Sequence, residues 1–139
     1  MIRFLLDTNT ISEPVKMNPN SNVLLRLKMH QAELALATVV WHELWFGCHL
    51  LPLSRKRTII EAYLNELLND AVPILSYDLQ AADWHAVERS RLTRLGQTPA
   101  FADGQIAAIA AANGLTVVTR NVADYAHYRG LSIENWFEP

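Results

Sequence analysis

The sequence predicts an α/β domain with a mostly parallel sheet, because short apolar runs typical of buried strands alternate with longer amphipathic segments typical of helices. The chain has 139 residues, of which 50% are apolar, and this is enough for one sizeable core. No repeat, low-complexity segment or linker divides the chain. We therefore expect a single domain over residues 1–139.

The first third of the chain contains two predicted strands separated by a helix. Ile2 to Leu6 is an apolar run that ends at Asp7, which suits a buried strand followed by a turn. Leu34 to Val40 is a second apolar, β-branched run, and Thr38 within it is expected to cap the next helix. Between the two strands the sequence predicts a short helix over residues 23–30.

The middle of the chain predicts two helices with a strand between them. Ser54 has the position of an N-cap, and its helix is expected to end at Asn69-Asp70. The next helix begins at Asp78 and stops near Gly96. Residues at helical spacing predict the apolar face of each helix. These are Ile59, Ile60, Tyr63, Leu64, Leu67 and Leu68 in the first, and Ala81, Trp84, Val87, Arg91 and Leu95 in the second, with a strand expected over Val72 to Leu75 between them.

The last third predicts an Ala-rich helix followed by two short strands. The helix runs from Asp103 to Asn113, and Gly114 stands at the position after its end that favours glycine. Thr116 to Thr119 reads as a buried strand and Leu131 to Ile133 as a last short one. Since ligands bind at the carboxyl ends of strands in parallel sheets, the polar residues that follow each strand are the candidate functional residues.

The charge balance excludes a protein that attracts nucleic acid by a global basic field. Twelve Lys+Arg stand against 14 Asp+Glu, a net charge of −2, so a phosphate backbone would need a local basic patch or a bound cation. Arg120 is the first candidate for such a contact, followed by Lys16, Arg91 and Arg94. One cysteine and no long apolar run exclude a disulfide framework and a membrane span, which predicts a soluble cytoplasmic protein.

Four acids lie at the edge of the sheet where ligands are expected. Asp7 follows the first strand, Glu43 lies in the helix after the second, Asp103 opens the Ala-rich helix, and Asp124 follows the strand that ends at Thr119. Each acid alone is explained as a turn former, a helix cap or a solvated side chain. Four carboxylates in one place repel one another unless some are protonated or a cation holds them. Hard oxygen ligands favour Mg²⁺ or Mn²⁺.

Four sequence blocks that contain these acids resemble the signature blocks of the PIN-domain family, in its branch of VapC/FitB-like toxins from bacterial toxin–antitoxin pairs. The blocks occur in the family's order and the resemblance covers essentially the whole chain. They are Leu5-Leu6-Asp7-Thr8-Asn9, His42-Glu43-Leu44-Trp45-Phe46-Gly47, Ala102-Asp103-Gly104-Gln105-Ile106-Ala107-Ala108 and Val117-Val118-Thr119-Arg120-Asn121-Val122-Ala123-Asp124-Tyr125. Tyr125 stands where the family usually has Phe, and we expect this difference to leave the acids untouched.

The resemblance implies a three-layer α/β/α fold and a metal-dependent endoribonuclease of RNA phosphodiester bonds. It implies that all four acids bind Mg²⁺ or Mn²⁺, directly or through water, with Asn9, Thr119 and Asn121 as polar support. It further implies a homodimer, a cognate antitoxin that inhibits the enzyme, and contact with DNA only through that antitoxin.

Two other functions stay open at this point. Phe4-Leu5-Leu6-Asp7-Thr8-Asn9-Thr10 also resembles the strand-end motif of haloacid-dehalogenase-like phosphatases, although Asn9 stands where that family has its general acid. The other alternative is a non-catalytic PIN-like binding module. Cleavage of small phosphate esters but not RNA would favour the first, and partner binding without any cleavage the second.

Overall fold

The computed structural model describes residues 1–139 and contains one five-stranded sheet whose neighbouring strands all pair in parallel. The strand order is β3-β2-β1-β4-β5, so β1 lies at the centre between β2 and β4. The strands are β1 Phe4–Leu6, β2 Leu34–Ala37, β3 Ile74–Leu75, β4 Thr116–Val118 and β5 Ile133–Glu134. The prediction of a mostly parallel α/β fold is confirmed.

Six α-helices and two 3-10 helices connect and cover the strands. The α-helices are α1 Thr8–Ile11, α2 Ser21–Met29, α3 Thr38–Leu50, α4 Arg55–Asn69, α5 Leu79–Arg94 and α6 Phe101–Ala112; the 3-10 helices are Glu13–Val15 and Val122–Asp124. The residues of β1 and β2 are buried on both faces, as expected for a parallel sheet between two helical layers. No helix has both the length and the apolar character needed to cross a bilayer.

Most predicted helix boundaries are confirmed by capping contacts. Ser54 accepts a hydrogen bond from the backbone N–H of Arg57, and Asp78 accepts one from Ala81. Gly114 has φ +66°, the left-handed backbone that ends α6. The prediction for Thr38 is wrong, since α3 begins at that residue and its cap position makes no side-chain hydrogen bond.

The buried face of helix α5 coincides only in part with the predicted one, since Ala81 is buried and Trp84 packs against the core. Its buried residues are Ala81, His85, Glu88 and Leu92, whereas Val87 is 66% exposed. The face contains two polar residues because each has a hydrogen-bond partner in the fold: the ring Nδ1 of His85 lies 2.8 Å from the Tyr77 hydroxyl, and Glu88 accepts from Arg91. Apolar spacing therefore placed the first turns of the buried face correctly and was wrong for Val87 and Leu95, which are exposed.

Other differences are local. In α4, Ile59 and Leu68 of the predicted stripe are half-exposed. Strand β3 begins only at Ile74, because Pro73 has no N–H to donate to a neighbouring strand. Helix α6 begins two residues before the predicted start, which places Asp103 in its first turn.

Candidate active site

The carboxyl ends of the central strands form a small polar cavity of about 100 Å³ that all four predicted acids line. Asp7 follows β1, Glu43 comes from α3, Asp103 from the first turn of α6 and Asp124 from the 3-10 helix after β4. The three predicted supporting residues, Asn9, Thr119 and Asn121, line the same cavity. The structure thus brings all seven residues together, and their chemical roles stay predictions.

Asp7 is the most rigidly held of the four acids. It is 6% exposed and caps α1, where its Oδ1 accepts from the Thr10 backbone N–H at 2.9 Å and from the Thr10 hydroxyl at 2.7 Å. Its Oδ2 accepts from the Thr119 hydroxyl at 2.7 Å. Thr119 also accepts from the backbone N–H of Asn121 at 3.0 Å. One threonine hydroxyl therefore links the ends of β1 and β4.

Two other acids are held by hydroxyl groups that the sequence reasoning did not assign. The Thr8 hydroxyl donates to Oε2 of Glu43 at 2.5 Å, which ties α1 to α3. The Tyr125 hydroxyl lies 3.4 Å from Oδ1 of Asp103, a long hydrogen bond. The expectation that Tyr125 leaves the acids untouched is wrong, because its buried ring extends from the turn beyond the 3-10 helix into this cavity.

The sequence contains a local signal for the role of Thr10 but not for that of Thr8. An aspartate that ends a strand and caps a helix accepts from the residue three positions later, and this identifies Thr10. The short α1 was predicted only as a turn, so the direction of the Thr8 side chain was not foreseen. The Thr119 contact joins residues 112 positions apart and has no local signal.

The cavity carries uncompensated negative charge. None of the four acids takes part in a salt bridge, and no lysine, arginine or histidine lines the cavity. Burial, and then the charge of Asp124, raises the pKa of the Asp103 carboxyl above its ordinary value. A divalent cation would remove this repulsion.

The donor set fits a hard divalent ion in chemistry and charge. The lining offers carboxylate, amide and hydroxyl oxygens and no sulfur or imidazole, which is the preference of Mg²⁺ and Mn²⁺. The carboxylates are not yet closed around one point, since no three acidic, histidine or cysteine side chains are placed to share a single ion. Such ions keep several water ligands, so a few direct protein ligands are sufficient.

The four basic candidates lie outside the lining of this cavity. The Arg120 guanidinium sits over the Phe137 ring, 4.9 Å from its centroid. Lys16 pairs with Glu13, and Arg91 pairs with a buried carboxylate on α5. Phosphate contact by Arg120 therefore stays a prediction.

The chain is similar to known proteins over most of its length. A family model described as PIN domain matches residues 4–130. The chain is 30% identical over 137 residues to the tRNA(fMet)-specific endonuclease VapC of Salmonella typhimurium, covering 98% of this chain and 99% of that one. It is 35% identical over 141 residues to the VapC ribonuclease Y4jK of Sinorhizobium fredii, and the match covers 97% of this chain and 98% of that one.

Solved structures also match this chain over nearly its full length. The structure of FitAB bound to an IR36 DNA fragment superposes with a TM-score of 0.89 at 30% identity and covers 98% of this chain and 96% of that chain. These matches extend over nearly the full length of both proteins.

Proposed function

Because this chain belongs to the PIN domain family, in the branch of the VapC and FitB toxins, we propose that it is a metal-dependent endoribonuclease and the toxin of a toxin–antitoxin pair. The observation that carries the proposal is the cavity at the sheet edge, where four carboxylates from distant parts of the chain meet without a cationic side chain. The ribonuclease names of the relatives support RNA as the substrate.

Asp7, Glu43, Asp103 and Asp124 are the residues that would hold Mg²⁺ or Mn²⁺. Bound there, a divalent ion supplies Lewis-acid chemistry, neutralising phosphate charge and making a water molecule more acidic. In the hydrolysis a water oxygen bonds to phosphorus as the bond from phosphorus to the 3′ oxygen breaks. The water gives up a proton and the leaving 3′ oxygen gains one, so no covalent enzyme intermediate is needed. In agreement with this, the cavity contains neither cysteine nor serine, and the hydroxyls of Thr8 and Thr119 already donate to carboxylates.

The chain's own contribution is to orient its carboxylates before substrate arrives. Thr10 and Thr119 hold both oxygens of Asp7, and Thr8 holds one oxygen of Glu43 and leaves the other free of hydrogen bonds. Asn9 and Asn121 add amide groups to the cavity that can bind ordered water or a phosphate oxygen. Such preorganisation lowers the cost of ordering the site during the reaction.

We further propose a homodimer, inhibition by a cognate antitoxin in the cytoplasm, and DNA contact only through that antitoxin. Solved neighbours are FitAB and VapBC assemblies, some bound to DNA. Exposed apolar side chains on and near α3 and α4 supply area for protein contacts. They are Phe46, Leu50, Leu53 and Ile59.

The test is cleavage of total cellular RNA by the purified, antitoxin-free protein with Mg²⁺, Mn²⁺ or EDTA. We expect discrete fragments only with metal, and a loss of roughly a hundredfold or more in Asp7→Asn, as for removal of a group that acts in the transition state. Asp83→Asn, an exposed acid on α5, is the matched control and keeps full activity. Cleavage that survives EDTA, or survives Asp7→Asn combined with Asp103→Asn, contradicts the assignment.

A thermal melt tests the metal site without relying on activity. The raised pKa of Asp103 means that its ionised form opposes folding, so stability falls as pH rises through that pKa. In EDTA at neutral pH, Asp103→Asn is therefore expected to melt higher than wild type. Mn²⁺ should stabilise wild type and have much less effect on the variant; equal stabilisation of both proteins would show that the ion binds elsewhere.

A further inference from the structure

A second cavity of about 390 Å³ adjoins the acid site and shares Asp103 and Asp124 with it. Its outer wall is formed by the loop after α5, including Gln97, Thr98 and Pro99, and by His127 from the turn after the 3-10 helix. The acid cavity measures only about 100 Å³. Roughly 300–1,000 Å³ is typical of small-ligand sites, so of these two adjoining cavities the second has room for a nucleoside and the first does not.

The wall side chains favour a neutral, hydrogen-bonding occupant. Gln97 offers an amide donor and acceptor, Thr98 a hydroxyl and His127 a flat ring, and all three are exposed. No lysine or arginine lines the cavity, and two carboxylates lie on its inner side. A phosphate would be repelled there, whereas a base and its ribose would not.

The wall is held in place by a buried charge pair. Glu88, 5% exposed, accepts from the Arg91 guanidinium at 2.9 and 3.0 Å and from the backbone N–H of Arg129 at 2.7 Å. Arg91 then donates to the His127 carbonyl at 2.7 Å. Burying a carboxylate is costly unless it is fully paired, and here the pairing fixes the backbone that carries His127.

The neighbours of His127 and the opposite loop are anchored as well. Tyr125 and Tyr128 are 3% and 5% exposed, so the exposed His127 lies in a turn that two buried tyrosines anchor. On the loop after α5, the Thr93 and Thr98 hydroxyls lie 2.8 Å apart, and the Gln97 backbone N–H donates to the α5 carbonyl of Leu92. Both walls therefore hold exposed polar side chains on a fixed backbone.

We propose that this second cavity binds the base and ribose of the nucleotide next to the cleaved phosphodiester, and that Gln97, Thr98 and His127 determine which base is accepted. The inference rests on the proposed ribonuclease function. Proteins read single-stranded RNA by stacking unpaired bases on flat side chains, histidine included, and by hydrogen bonds to base edges. A base in this cavity would place its phosphate beside the shared carboxylates, where the divalent cation of the proposed function would offset their repulsion.

The first experiment measures nucleoside binding and does not depend on cleavage. Adenosine, cytidine, guanosine and uridine are titrated separately into isotope-labelled protein in EDTA, and the Gln97 amide and His127 ring signals are followed by NMR. We expect these signals to shift with a preference of about tenfold for one nucleoside, typical of a hydrogen-bonded discrimination. Gln97→Ala combined with His127→Ala should abolish the preference, whereas Gln80→Ala, an exposed glutamine at the start of α5, should keep it.

The second experiment maps cleavage in a randomised RNA pool. The Gln97→Ala, His127→Ala protein is expected to change the base frequencies at one position beside the cut. Unchanged base preference, or nucleoside titrations that leave the Gln97 and His127 signals unmoved, would overturn the proposal. Absence of RNA cleavage by wild type would refute the ribonuclease function instead, and the NMR titration would still decide the subsite.

Discussion

Replacement of Thr119 by valine tests the link between β1 and β4 that holds Asp7. Thr119 is fully buried, donates to Oδ2 of Asp7 at 2.7 Å and accepts from the Asn121 N–H at 3.0 Å. Valine has nearly the same shape but no hydroxyl. A hydrogen bond to a charged group contributes about 1.5–3 kcal/mol, and water at the cavity can partly replace the lost partners. We expect Thr119→Val to lower the free energy of unfolding by about 2–3 kcal/mol.

Thr119→Ser is the matched control because it keeps the hydroxyl and loses one methyl group, a cost of about 1 kcal/mol. Urea unfolding in EDTA at neutral pH measures both variants. In an Asp7→Ala background the cost of Thr119→Val should fall by about 1 kcal/mol or more, since the acceptor is gone. A valine variant no less stable than the serine variant, or the same valine cost in both backgrounds, would refute the reasoning.

The other predictions concern the stability contributed by residues that do not line the acid cavity. Gly104→Ala would place a Cβ 2.2 Å from Nε2 of the buried His85, so we expect urea unfolding to report a loss of about 2–3 kcal/mol. Gly47→Ala, with open space around the new Cβ, should leave the stability unchanged or raise it. An equal loss of stability in the two alanine variants would contradict the packing argument. Glu88→Gln should lower the free energy of unfolding by about 2–4 kcal/mol at pH 7. Glu61→Gln, in a partly exposed ion pair with Arg57, should lower it by less than about 1 kcal/mol. The hydrogen bond from Arg91 lowers the pKa of the Glu88 carboxyl below its ordinary value of 4.5. The stability that ionised Glu88 contributes is therefore complete above pH 4.5 and is lost as the pH falls through the lowered pKa. A difference in unfolding free energy between wild type and Glu88→Gln that stays unchanged in acid would contradict this.

The sequence predicts the sheet well because its strands are short apolar runs with polar ends. Asp7 and Thr119 follow buried strands directly, and this pattern needs no knowledge of tertiary contacts. The placement of Asp7 and Asp124 in one cavity follows from the same rule, since the strand ends meet at one edge, whereas Glu43 and Asp103 reach it from helices α3 and α6.

Contacts between distant residues explain what the sequence could not predict. The buried face of α5 includes His85 and Glu88, which become compatible with burial only through Tyr77, Arg91 and the backbone of a turn some forty positions later. The position of Arg120 over an aromatic ring near the chain end likewise depends on tertiary packing. Apolar periodicity carries no information about such partners.

The central position of β1 has a consequence for synthesis on the ribosome. Asp7 is synthesised 112 residues before Thr119, yet the Asp7 backbone N–H donates to the Val118 carbonyl and the Asp7 carboxylate accepts from the Thr119 hydroxyl. Until β4 has left the ribosome, β1 can pair with β2 on one side and has an open edge on the other. The four acids therefore cannot assemble until β4 and the 3-10 helix that carries Asp124 have emerged, and a ribosome making this protein is not exposed to a complete acid cavity before that point.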